Sequence, residues 1–70
     1  MNQFILVGTL LSKRLNYAII YTEEADIEVY ISDELMPIIN HVNPNTIIAV
    51  KGKIMKYHSF YAEEIIILGD

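Results

Sequence analysis

No cysteine and no tryptophan occur in the sequence, and only five of its side chains are Lys or Arg. The first absence excludes disulfides and thiolate metal sites and fits a cytoplasmic, reducing environment. The second removes the largest aromatic surface with which a protein stacks on a base. With only two histidines, His41 and His58, a typical histidine metal site is not expected, and no other cofactor is. Three glycines and two prolines make no linker or low-complexity segment. No apolar run approaches the ~20 residues of a membrane span. The opening M-N-Q-F-I-L-V-G has no cationic region ahead of its apolar residues, so a signal peptide is not expected.

What is present is a 70-residue chain, 53% hydrophobic and 20% charged. That is a single domain over 1–70, near the lower limit of what folds alone, and too apolar for a disordered tail. It is also rich for a monomer with one small core, which predicts a homodimer or higher oligomer. The net charge of −4 is unevenly distributed. Six of the nine acids (Glu23, Glu24, Asp26, Glu28, Asp33 and Glu34) form one run without a base, and all five bases fall at Lys13–Arg14 and Lys51–Lys56.

Hydrophobic periodicity divides the chain into β-β-β-α-β-β. In Phe4–Leu11, Phe4, Leu6, Gly8 and Leu10 alternate with Ile5, Val7, Thr9 and Leu11; both faces are apolar, as in a strand buried on both sides. Tyr17–Thr22 is a second strand by residue type, and Glu23–Ala25 is a turn. Asp26–Ser32 alternates most cleanly, with Ile27, Val29 and Ile31 inward. Asp33–Val42 switches to a three-to-four-residue spacing and reads as a short helix, with Ser32 or Asp33 as candidate caps and regular turns from Pro37. Thr46–Tyr57 and Phe60–Leu68 form a last hairpin. Gly52, inside its first strand, predicts a bulge, a bend or a close backbone approach. Glu63 and Glu64 are expected on opposite faces.

This order predicts an all-β, five-stranded OB-fold barrel with one short helix between strands 3 and 4, its closure eased at Gly8 and Gly52. The residues add a resemblance. M-N-Q-F-I-L-V-G-T-L, I-I-A-V-K-G-K-I and Y-A-E-E-I-I-I-L resemble the first, fourth and fifth strands of the bacterial single-stranded DNA-binding protein family. The resemblance implies sequence-independent binding of single-stranded DNA or RNA, in the cytoplasm, with roles in DNA replication and DNA repair. There are departures. The loops after strands one and two are short, tryptophan is missing, and the family's glycine-rich segment with an acidic tip has no counterpart before Gly69-Asp70. Where the family places aromatic and basic groups on the third strand, this chain has Asp26, Glu28, Tyr30 and Ser32.

OB folds hold single strands by stacking bases on aromatic rings while cations track the phosphates. The aromatic candidates are Tyr17, Tyr21 and Tyr30, with Tyr57, Phe60 and Tyr61 at the last hairpin. The contact set expected from the sequence is Tyr17, Tyr21, Tyr30, Tyr57 and Phe60 for stacking, and Lys13, Arg14, Lys51, Lys53 and Lys56 for phosphates. The loops joining strands one to two and four to five are expected to bring these five bases to one pole. Strand tyrosines also serve packing, and lysines also blunt sheet edges. The acidic run suits a solvated face or a basic protein partner, so the alternative function is an OB-fold protein-interaction or assembly module without nucleic-acid binding. An enzyme is not expected. His41 lies near a helix end and His58 in a turn, neither with a nucleophile and an orienting group in the pattern.

Overall fold

Two-residue alternation fixes which side chains leave water, and the strands form where it runs. The computed structural model describes residues 2–69. Its strands are β1 (Gln3–Lys13), β2 (Tyr17–Tyr21), β3 (Asp26–Tyr30), β4 (Ile47–Met55) and β5 (Ser59–Gly69), with helix α1 (Met36–Asn40) between β3 and β4. Leu10, Ala18, Ile20, Val29, Ile31, Ile48, Val50 and Ala62 turn inward and pack with Ile39 and Val42 from the helix segment. Phe4, Leu6, Ile27, Phe60 and Ile65 flank this core.

The sheet closes in a ring, β1-β2-β3-β5-β4, with β4 returning to β1. β1 does this by serving two neighbours: Gln3–Thr9 pair with β4, and Thr9–Lys13 pair with β2. Just before the handover, a Cβ at Gly8 would collide with the Tyr21 carbonyl and lie 2.7 Å from Ile20 Cγ2. Glycine is what lets the strands cross this closely. Gly52 has the same role on the other side of the ring. The β4–β5 register shifts between Lys51 and Gly52, and a Cβ there would run into the Tyr61 carbonyl and approach Phe4 Cε1 to 2.9 Å. Both the bulge and the close approach expected at Gly52 are present. The bulge absorbs Glu63, so Glu63 and Glu64 are both exposed instead of facing opposite ways.

The ring is completed by a short parallel contact, Val29 with Phe60 and Tyr30 with Tyr61. The helix is shorter than the spacing predicted. A turn comes first, in which the N–H groups of Leu35 and Met36 donate to the Ser32 carbonyl, and Leu35 is the N-cap without a side-chain cap. Neither Ser32 nor Asp33 caps by its side chain: the helix starts at Met36, with Pro37 in its first turn, where proline is tolerated. No helix among the described residues is long and apolar enough to cross a membrane.

Candidate nucleic-acid interface

Because strand side chains alternate, Tyr17, Tyr30 and Tyr61 all point out of the ring. Cross-strand register then lines them up. Tyr17 pairs with Tyr30, and Tyr30 with Tyr61, so the three form one row across β2, β3 and β5. Tyr17 and Tyr30 have ring centroids 6.0 Å apart and planes tilted by 58°. Tyr30 and Tyr61 stack at 5.1 Å with planes only 21° apart. The first two rings are half-buried and Tyr61 is exposed. Beside the row lies an open depression of about 330 Å³ lined by Asn16, Tyr30, Ile31, Ser32, Tyr61 and Ala62.

Two turns bracket this row. On one side, the β1–β2 turn is held by Arg14 N–H donating to the Tyr17 carbonyl and by the Asn16 carbonyl accepting from Ile31 N–H. Arg14, Leu15 and Asn16 are exposed there. On the other side, the β4–β5 turn places Tyr57 and His58 at φ 62° and 57°, with Ser59 N–H donating to the Lys56 carbonyl. This is the geometry of a type I′ hairpin turn, which normally selects Asn-Gly. Here Tyr57 occupies it with 94% of its surface exposed. The row itself continues to Lys53, the partner of Tyr61, and on to Gln3. The Lys53 Nζ is 3.4 Å from Glu63 Oε2, with the two side chains about half exposed. Such a pair is worth ~0–1 kcal/mol and yields readily to a phosphate.

The five bases do not form one pole. Lys13 donates through Nζ to the carbonyls of Val42 (2.9 Å) and Asn40 (3.4 Å), so two of its three N–H donors are turned to the end of α1. Arg14 is exposed in its turn and makes no ion pair among the described residues. Lys53 and Lys56 stand on the opposite side of the tyrosine row. Lys51 shares the outer face of β4 with Lys53, but its partner is Glu64. It also lines a depression of about 580 Å³ together with Gln3, Phe4, Ile5, Gly52, Glu63 and Glu64, where carboxylates offset its charge.

Two aromatic candidates also lie outside the row. Phe60 turns inward, edge-on to Phe4 at 5.0 Å and 86°, and packs on the core. Tyr21 is exposed, but its partners are Thr9 and Asp26, ~13 Å along β2 from Tyr17 at 3.3 Å per residue. The acidic rim begins near the row. Glu28 points outward two residues before Tyr30, ~7 Å away. That is within a screening length of ~8 Å. Leu15 and Asn16 were not singled out by the sequence reading, although a lone leucine in an otherwise polar turn is a signal of an exposed apolar contact. Among the described residues, no three of His, Asp or Glu gather as a metal site. Neither protein-family models nor curated proteins match the sequence.

Proposed function

We propose that this chain is an OB-fold relative of the bacterial single-stranded DNA-binding proteins and binds single strands without sequence preference. The observation that carries this is the Tyr17–Tyr30–Tyr61 row, bracketed by the β1–β2 and β4–β5 turns. OB folds bind oligonucleotides on the face of strands two and three and through these two loops. The strand order around the ring and the helix between β3 and β4 support the same assignment.

Bases stack on the outer faces of Tyr61 and Tyr30, with Tyr17 extending the platform toward Arg14. Every base has a π-face, so the platform is indifferent to sequence, and each stacked base contributes ~1–3 kcal/mol. Arg14 takes phosphates on one side and Lys53 and Lys56 take them on the other, with Lys53 exchanging Glu63 for the strand. The exposed Tyr57 ring and Leu15 bound the path at its two ends. Glu28 and Asp26 repel phosphate and confine the strand to the tyrosine level of the face. Their run also favours the alternative, a module that binds a basic protein.

Titration with an oligo-dT strand at low salt separates the two readings. Binding in the row gives saturable quenching of tyrosine fluorescence that reverses as salt is added. Absence of both quenching and a mobility shift at high micromolar protein removes the nucleic-acid reading.

A further inference from the structure

We infer that the depression beside the tyrosine row is a subsite for one adenine base, whose edge is read by Asn16 and Ser32. The inference rests on the single-strand reading above and adds selectivity to it: stacking on the row takes any base, whereas this depression favours one. Its construction follows from the seam. β3 meets β5 only at Val29 with Phe60 and at Tyr30 with Tyr61. Immediately afterwards the chain turns away from β5, as Ile31 N–H donates to the Asn16 carbonyl at 2.9 Å and Ser32 opens the turn that leads into α1. The parting chains leave about 330 Å³ between them. That lies at the lower end of the ~300–1,000 Å³ of small-molecule sites, room for one base and not for several.

The lining is layered as a base requires. Ile31 and Ala62 are buried and form an apolar floor, and Tyr30 and Tyr61, already stacked on each other, supply an aromatic wall. Asn16 and Ser32 complete the rim, both exposed. Their backbones are tied, since the Asn16 carbonyl accepts from Ile31 N–H and the Ser32 carbonyl from the N–H groups of Leu35 and Met36. Their side chains are not: among the described residues neither makes a hydrogen bond. A carboxamide and a hydroxyl are thus held at the mouth of an apolar and aromatic hollow with their donors and acceptors unused.

Those donors and acceptors select the base. A carboxamide presents one acceptor and one donor side by side, and adenine answers both with its amino group and the neighbouring ring nitrogen. Guanine's O6 and N7 ask for two donors, as Arg or Lys would supply, and neither residue lines the depression. The exposed Asp33 and Glu34 directly follow Ser32, and their negative field favours an exocyclic amino group over the carbonyl oxygens of thymine. Cytosine also carries an amino group, but the two fused rings of adenine cover more of the tyrosine wall and the apolar floor.

Fluorescence anisotropy at low salt tests this through ratios of affinity. The probes are labelled oligo-dT and the same strand with one central dA, dC or deoxyinosine, the last of which keeps both purine rings and replaces the amino group by a carbonyl. A bidentate base contact at the weak end of its range predicts about fivefold tighter binding of the dA strand than of oligo-dT, with the inosine strand within about twofold of oligo-dT. Asn16→Ala should bring the dA-to-dT ratio to about one, and Ser32→Ala should lower it. Each ratio compares two strands on one protein, so a change in folded fraction cancels. Equal affinity of the wild type for the dA strand and oligo-dT, an inosine or dC strand bound as tightly as the dA strand, or an unchanged ratio in Asn16→Ala would overturn the inference while leaving the single-strand reading in place. Failure of the wild type to bind any of the strands would remove both.

Discussion

Tyr30 and Tyr61 stack 5.1 Å apart on the outside of the seam where β3 meets β5, and their backbones form half of that parallel pairing. The proposed binding platform is therefore also part of the ring's closure. An aromatic pair of this kind contributes ~0.5–1.5 kcal/mol beyond the area it buries. Tyr61→Leu should lower unfolding free energy by about 1 kcal/mol in urea titration and weaken oligo-dT binding in the same protein. Unchanged stability would show that the ring stack does not support the seam.

Gly52 makes the tyrosine row possible from below. Its missing Cβ leaves room for the Tyr61 carbonyl, which is backbone and cannot swing aside as a side-chain tip would. Overpacking typically costs ~1–3 kcal/mol. In a domain of this size each kcal/mol moves Tm by ~4–8 °C. Gly52→Ala is thus expected to lower Tm by more than about 4 °C in a circular-dichroism melt. A melt unchanged within error would contradict the close approach.

Lys13 and Arg14 are neighbours with different tasks, and salt dependence separates them. For single strands, the slope of log K against log salt is about −0.7 per phosphate contacted. Arg14, Lys53 and Lys56 together predict a slope of about −2, whereas five engaged bases would give about −3.5. Lys13→Met should leave the slope where it is and reduce stability by about 1 kcal/mol, since it removes a charged donor from the Val42 carbonyl. Arg14→Gln should make the slope shallower by about 0.7.

The β4–β5 turn carries two non-glycine residues at positive φ, a conformation costing ~1–2 kcal/mol per residue. Replacing Tyr57-His58 by Asn-Gly supplies the residues that a type I′ turn prefers. The double variant is expected to be more stable than wild type by about 1 kcal/mol or more in chemical denaturation, and to bind oligo-dT more weakly because an exposed ring is lost. Tighter binding by this variant would exclude Tyr57 from the path.

The succession of elements along the chain and their inward faces were legible because they depend on local alternation. Ile27, Val29 and Ile31 turn inward as their period predicts, and the strand limits fall within two residues of those read from the sequence. Gly52 was legible as a bulge because a strand has few other uses for glycine. What depended on pairing was not legible. Phe60 and Tyr61 are adjacent aromatics, and only the register with Ile54 and Lys53 decides that the first packs on Phe4 while the second joins Tyr30. The bulge that Glu63 occupies changes the phase of β5, so its alternation could not be carried across that point. Lys13 was placed with the other bases because its reach to the end of α1 spans residues distant in sequence.

The central claim is that the Tyr17–Tyr30–Tyr61 row is the surface on which bases stack. Fluorescence anisotropy of a labelled oligo-dT at low salt, measured with wild type, Tyr30→Leu and Tyr21→Leu and with folding checked by circular dichroism, tests it most directly. Loss of one stacked base at ~1–3 kcal/mol predicts roughly tenfold weaker binding for Tyr30→Leu. Tyr21→Leu should remain within about twofold of wild type, since that ring stands ~13 Å along β2 from the row. Equal losses in the two variants, a larger loss in Tyr21→Leu, or no binding by the wild type would contradict the account.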